Sequence, residues 1–137
     1  MARGPKEASQ ALVALDGGSF LMGARFTRHA EDGETPVREV SVAPFGISAT
    51  TVTNAQFARF VDVTGYASTA EQLGNSFVFA AFLPASSDEK TRALANAPWW
   101  REVEGACWRF PEGPGTGIEH RLDHPIMHVS WHDTQTY

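Results

Sequence analysis

The chain has 137 residues, of which 42% are hydrophobic and 20% charged. Those are globular proportions rather than those of a disordered chain, and the length suits one domain able to bury about two-thirds of its unfolded surface. Sixteen acidic residues against 11 basic ones leave a net charge of -5, and no cluster of Lys and Arg offers a phosphate-binding face, so nucleic acid is excluded as an expected partner. One cysteine, Cys107, rules out an intramolecular disulfide and a Cys-rich zinc site. No apolar run approaches a membrane span, and Ala11 to Leu15 is too short for a signal-peptide core. A cytoplasmic protein without a membrane partner is the expectation.

In chain order, residues 1–10 read as a flexible tail. Ala11 to Leu15 reads as a strand, Asp16-Gly17-Gly18 as a turn, and Ser19 to Gly23 as a second strand, together predicting a hairpin. Arg28 to Thr35 is a polar, acidic loop; its run Glu31 to Glu34 lacks the ligand spacing of a calcium loop. Arg38 to Val42 alternates polar and apolar residues like a half-buried strand, and Phe45 to Ile47 resumes after Pro44 as a short one.

The strongest helix signal is Thr53 to Thr64. Thr53 with Gln56 makes a capping box, Phe57, Phe60 and Val61 form one apolar stripe, and Gly65 stops the helix. Asp88 to Ala97 reads as a weaker helix halted near Pro98. From Pro98 onward the chain holds all four tryptophans, and Pro111, Pro114, Pro125 and the intervening glycines forbid long regular elements. Gly105 to Trp131 is expected to be ordered but irregular. Ser130 with Asp133 opens a last helix that runs to Tyr137. Short strands, few helices and long loops predict an α+β fold.

Several residues invite chemistry. His120, His124, His128 and His132 recur every four positions, yet Pro125 breaks the helix that would align them as metal ligands. His128 to Trp131 alternates as a strand does. These histidines are expected to brace an irregular loop. Cys107 has Arg109 two residues on, but no protease-type motif surrounds it, so a buried structural thiol is expected. Trp99, Trp100, Phe77 and Phe79 are able either to line a groove or to fill a core. Asp123, His124 and Ser130 lack the strained nucleophile turn of a serine hydrolase.

The separated motifs have a collective likeness. Gly17-Gly18-Ser19-Phe20-Leu21-Met22-Gly23, Asp32-Gly33-Glu34-Thr35-Pro36-Val37-Arg38, Val52-Thr53-Asn54-Ala55-Gln56-Phe57, Thr64-Gly65-Tyr66, Ser76-Phe77-Val78-Phe79, Ala97-Pro98-Trp99-Trp100 and the Gly105 to Trp131 segment occur in this order. They resemble the formylglycine-generating enzyme, or sulfatase-modifying factor, family over residues 11–137. The resemblance implies a C-type-lectin-like fold with little regular structure, incomplete here at its C-terminus. It implies an oxidase that uses dioxygen, copper(I) held by two cysteines, and bound calcium. The implied partner is a sulfatase polypeptide, whose cysteine in a Cys-x-Pro-x-Arg segment becomes formylglycine.

Carried over residue by residue, the groove positions are Ala70, Asn75, Phe77 and Trp99; no catalytic residue and no metal ligand transfers. Asn75 stands where the family pattern has Asp, and Cys107 matches neither copper cysteine. The chain is therefore expected to be the N-terminal part of such an enzyme, inactive alone. The alternative is a truncated or degenerate relative that binds peptides without oxidising them. A third branch, the iron-dependent sulfoxide synthases, carries an additional helical domain for which 137 residues leave no room.

Overall fold

The computed structural model describes residues 12–84 and 91–137. The backbone divides into two compact units, Met1–Thr50 and Thr51–Tyr137. The tail expected over residues 1–10 lies outside the described residues.

The first unit holds four strands: β1 (Leu12–Leu15), β2 (Gly18–Met22), β3 (Arg38–Val42) and β4 (Phe45–Ser48). All four were legible from alternation and turn residues, but the expected β1–β2 hairpin does not form. Instead β1 pairs antiparallel with β4, from Leu12↔Ser48 to Leu15↔Phe45, and β2 pairs with β3, from Gly18↔Val42 to Met22↔Arg38. The β2–β3 pair is nested inside the other. Gly17 explains the difference. It lies so close to the Val42–Pro44 backbone that a Cβ would stand 2.5 Å from the Val42 carbonyl oxygen, and its φ is 77°. The glycines pass the chain from one pair to the next rather than folding it back on itself. In the acidic loop, Glu34 accepts the Arg28 N–H at 2.8 Å, and backbone donors from Arg28 and His29 hold its carboxyl below the usual range.

The second unit begins with α1 (Asn54–Thr64). The Thr53–Gln56 capping box is present, and Gly65 adopts φ 68° to end the helix. Its first N–H groups have no partner within the helix; those of Asn54 and Ala55 donate to the His124 and Leu122 carbonyls, each at 2.9 Å. The Asn54 amide adds a 2.7 Å bond to the Arg121 carbonyl. The irregular segment is thus fastened to the start of α1. Phe57 and Val61 from the apolar stripe pack on Trp108 to form one core, with Phe57 edge-on to the indole at 5.2 Å.

Next come α2 (Thr69–Leu73) and β5 (Asn75–Phe79), then β6 (Arg92–Leu94) and β7 (Ala97–Glu104). The three strands form an antiparallel sheet in the order β5-β7-β6. Val78, Val103 and Ala106 make a second small core on one side of it. The helix expected over Asp88 to Ala97 is corrected here: Arg92–Leu94 is strand, Ala95-Asn96 a turn and Ala97 the start of β7, while 88–90 lie outside the described residues. Ala, Arg and Leu favour helix locally, but pairing of Arg92 and Ala93 with Glu102 and Arg101 overrides propensity. Pro98 likewise sits within the eight-residue β7, so the bar on long elements applies only after Glu104.

From Gly105 to Ser130 there is neither helix nor strand, as the Pro and Gly content predicts. His128 is not extended as its sequence neighbours imply; its φ is 57°. The final helix, α3 (Trp131–Thr136), starts from the Ser130–Asp133 capping box. The fold class is α+β, with small sheets and few helices.

Candidate functional site

α2 begins with a second capping box, Ser68 with Glu71, and ends at Gly74, whose φ of 76° turns the chain into β5. Asn75, Phe77 and Phe79 alternate onto one face of the sheet, while Val78 faces the buried side. The segment His128–Ser130 runs alongside. Together these pieces enclose a hollow of about 190 Å³ lined by Thr69, Ala70, Leu73, Asn75, Ser76, Phe77, His128, Val129 and Ser130.

Two polar anchors hold the hollow's walls together. His128 joins Ser76 Oγ through Nδ1 and the Pro111 carbonyl through Nε2, both at 2.8 Å. A carbonyl only accepts, so Nε2 carries the proton and Nδ1 accepts from the Ser76 hydroxyl. Burial holds the imidazole below its ordinary pKa despite the raising effect of the Pro111 carbonyl, which keeps that neutral tautomer near neutral pH. Asp133 is the second anchor. Its buried carboxylate accepts from Ser130 N–H at 2.6 Å, the Tyr66 hydroxyl at 2.8 Å, and Thr69 N–H and hydroxyl at 2.9 and 3.0 Å. The caps of α2 and α3 are thereby tied to each other across the floor of the hollow.

The structure brings together three of the four groove residues named from sequence. Ala70 is buried at its floor, Asn75 is half-buried, and Phe77 is 46% exposed, leaving its ring available to a ligand. Trp99 does not line this hollow. It stands one position before Trp100 and so on the opposite face of β7; the Trp100 ring meets Phe79 edge-on at 5.8 Å on the Phe77 face. Sequence reasoning missed Ser76, His128 and Asp133 as parts of the site. Only the Ser130–Asp133 cap was visible beforehand; the contacts from Ser76 and Thr69 span more than fifty residues.

The other candidates sit elsewhere. Cys107 is buried, and Arg109 does not attend it; the guanidinium lies over the Trp108 ring at 4.2 Å and faces Glu71. His120, His124 and His132 are exposed and apart from His128. Among the described residues, no three His, Cys, Asp or Glu side chains converge as a metal site would require. The copper(I) implied by resemblance needs two thiolates, and this chain has one thiol, enclosed beside Trp108. The residues present therefore do not fit a two-thiolate copper site. Among the described residues no helix is long and apolar enough to cross a membrane.

Comparison with known proteins places these features in a family. The profile of the sulfatase-modifying factor enzyme 1-like domain matches residues 1–137. A formylglycine-generating enzyme of Thermomonospora curvata is 46% identical over 136 residues, covering 98% of this chain and 45% of that protein. One from Streptomyces coelicolor is 47% identical over 126 residues, covering 91% of this chain and 40% of the relative. The mouse protein called inactive C-alpha-formylglycine-generating enzyme 2 is 43% identical over 127 residues, 93% of this chain and 41% of that protein. The chain thus spans less than half the length of these three curated relatives. It belongs to the sulfatase-modifying factor, or formylglycine-generating enzyme, family.

Proposed function

We propose that this chain supplies one wall of the peptide groove of a formylglycine-generating oxidase. The observation that carries the reading is the convergence of Ala70, Asn75 and Phe77 on a single hollow, braced by His128 and Asp133. In this role the chain's residues bind and orient. Phe77 offers an exposed ring against which an extended peptide buries apolar surface, and Ala70 leaves the floor low enough for backbone to approach. The neutral His128 keeps Ser76, and with it the start of β5, in a fixed position. The substrate is a sulfatase polypeptide carrying a Cys-x-Pro-x-Arg segment. The whole domain takes the C-type-lectin-like fold of the resemblance. The implied copper(I) would supply the activation of dioxygen, but the single thiol of this chain does not make a two-thiolate site, and no step of that chemistry falls to its residues.

Two results are expected. The 137-residue chain, given copper and oxygen, leaves a Cys-x-Pro-x-Arg peptide without aldehyde; an aldehyde product trapped by a hydrazide would contradict the division of labour just described. Phe77→Ala weakens binding of a fluorescein-labelled Cys-x-Pro-x-Arg peptide about tenfold in an anisotropy titration, as expected for a well-buried aromatic anchor. Because Phe77 is 46% exposed in the unliganded chain, its truncation is expected to cost about 1 kcal/mol of stability, well short of emptying a fully buried aromatic site. Unchanged affinity would remove Phe77 from the groove.

The second reading, a relative that binds peptide without oxidising it, draws on the similarity to the mouse protein named inactive. Peptide binding that survives addition of a copper chelator and is lost in Phe77→Ala, with no aldehyde formed under any copper supply, would favour it.

A further inference from the structure

In the order β5-β7-β6, β5 has a partner strand on one side only. A single bond tells which of its backbone groups face outward. The Gly105 N–H donates to the Gly74 carbonyl at 2.8 Å, and these two residues continue the Asn75↔Glu104 register by one step. Opposed residues of an antiparallel ladder alternate between pairs that exchange bonds and pairs that do not. Ser76 with Val103 and Val78 with Arg101 are therefore bonded pairs, whereas Phe77 turns its N–H and C=O to the outer edge. Among the described residues, no strand, isolated bridge or loop backbone bond reaches that edge. The hollow opens along this same edge. Asn75 and Phe77 point to one side of the sheet and Ser76, in phase with the buried Val78, to the other, yet all three line it. A hollow bounded by residues of both faces lies at the margin of the strand. Its far wall, the His128–Ser130 segment, is fastened to β5 through the Ser76 side chain and leaves the strand's backbone unbonded there.

An unpaired strand edge that borders a hollow is a template for an incoming extended chain. We propose that the peptide docks by strand addition, its backbone pairing with the N–H and C=O of Phe77. This rests on the groove reading above and deepens it. The chemistry of the Cys-x-Pro-x-Arg segment sets the register. Proline has no N–H to give, so it turns its backbone away from β5, and so do the Cys and Arg two residues to either side. The bonds to Phe77 then come from the x residues. In an antiparallel addition one x residue exchanges both bonds with Phe77; in a parallel one each x residue takes one of them. Either way the Cys, Pro and Arg side chains share one face of the added strand, and the x residues serve through backbone alone.

The test joins amide exchange on the isotope-labelled 137-residue chain with backbone N-methylation of a Cys-x-Pro-x-Arg peptide, extended so that Cys also has an amide nitrogen. In the free chain the Phe77 N–H is expected to exchange fast and those of Ser76 and Val78 slowly. Saturation with unmodified peptide slows Phe77 about tenfold or more. N-methylation of at least one x residue removes a donor and sets a methyl against the edge, and is expected to weaken binding about tenfold in an anisotropy titration. N-methylation of Cys or of Arg is expected to weaken it less than about twofold. Every peptide carries the same side chains, so side-chain recognition does not move this contrast. Equal weakening at all positions, none at any, or a Phe77 amide that stays fast at saturation overturns strand addition. The groove itself then still stands if Phe77→Ala weakens the unmodified peptide. Protection of Phe77 in the peptide-free chain that grows with protein concentration gives the edge to a second copy, and overturns the proposal too. Failure of the unmodified peptide to bind overturns the groove reading and this inference together.

Discussion

Replacing Trp108 by alanine is expected to lower the unfolding free energy of the second unit by about 3–5 kcal/mol, the usual cost of emptying a buried aromatic site. Trp108 is fully buried and joins otherwise separate pieces. Its ring receives the edge of Phe57 from α1 at 5.2 Å, and its indole N–H donates to Glu71 of α2 at 3.1 Å. The Arg109 guanidinium covers its ring at 4.2 Å. Truncation therefore opens a cavity under the apolar stripe of α1 and removes a donor from Glu71, which also receives Ser68 N–H at 2.8 Å in the α2 cap. Set against the roughly 5–15 kcal/mol of a whole domain, such a loss leaves little margin. Urea titration followed by far-UV circular dichroism measures it. Trp99→Ala is the control: that ring is 53% exposed, and its removal should cost no more than about 0.5 kcal/mol. A loss below about 1 kcal/mol for Trp108→Ala would mean that the irregular segment is not what holds α1 and α2 together.

Asp133→Ala is expected to destabilise the same unit by about 2–4 kcal/mol, since it leaves several donors without an acceptor in a buried place. Burial, the largest influence on this carboxyl, pushes its pKa up. The bonds from Ser130, Tyr66 and Thr69 together outweigh burial and hold it below the ordinary range. The pH dependence follows from that direction. A carboxyl with a lower pKa in the folded state contributes its full stability above the unfolded value of about 3.9, and loses it as the pH falls through the folded value. Stability of the unmutated chain should therefore begin to drop below about pH 4, and Asp133→Asn should flatten that part of the curve. The partner side titrates oppositely: the Tyr66 hydroxyl, which donates to Asp133, is held above its ordinary pKa chiefly by that bond. An acid limb identical in both proteins would assign the pH sensitivity to other carboxylates. Because Asp133 joins the caps of α2 and α3, the same substitution should also weaken peptide binding in the adjoining hollow.

Local rules carried far in this chain where local bonds decide. The Thr53–Gln56 and Ser130–Asp133 boxes, the stop at Gly65 and the strands at β1 to β4 follow from residues a few positions apart. The five-residue helix α2, opened by the Ser68–Glu71 box, was not read from the sequence. The pairing of strands was not legible, because Gly17 resolves it through a close approach to Val42, twenty-five residues on. Nor was β6, since its sequence is that of a helix former and only the partner strand makes it extended. The same division runs through the candidate site. Ala70, Asn75 and Phe77 were reached by likeness of motif, and they do meet. Ser76 and His128 belong to the site through a contact across the fold, which no spacing along the chain announces.

The central claim is that the hollow between α2, β5 and the His128–Ser130 segment receives an extended peptide. The most direct measurement is photo-crosslinking of a Cys-x-Pro-x-Arg peptide, bearing a diazirine side chain beside the cysteine, followed by mass-spectrometric mapping of the joined residues. The account predicts crosslinks concentrated in residues 69–77 and 128–130, competed away by unlabelled peptide and diminished in Phe77→Ala. Crosslinks spread over the chain without competition, or focused outside those segments, would contradict it.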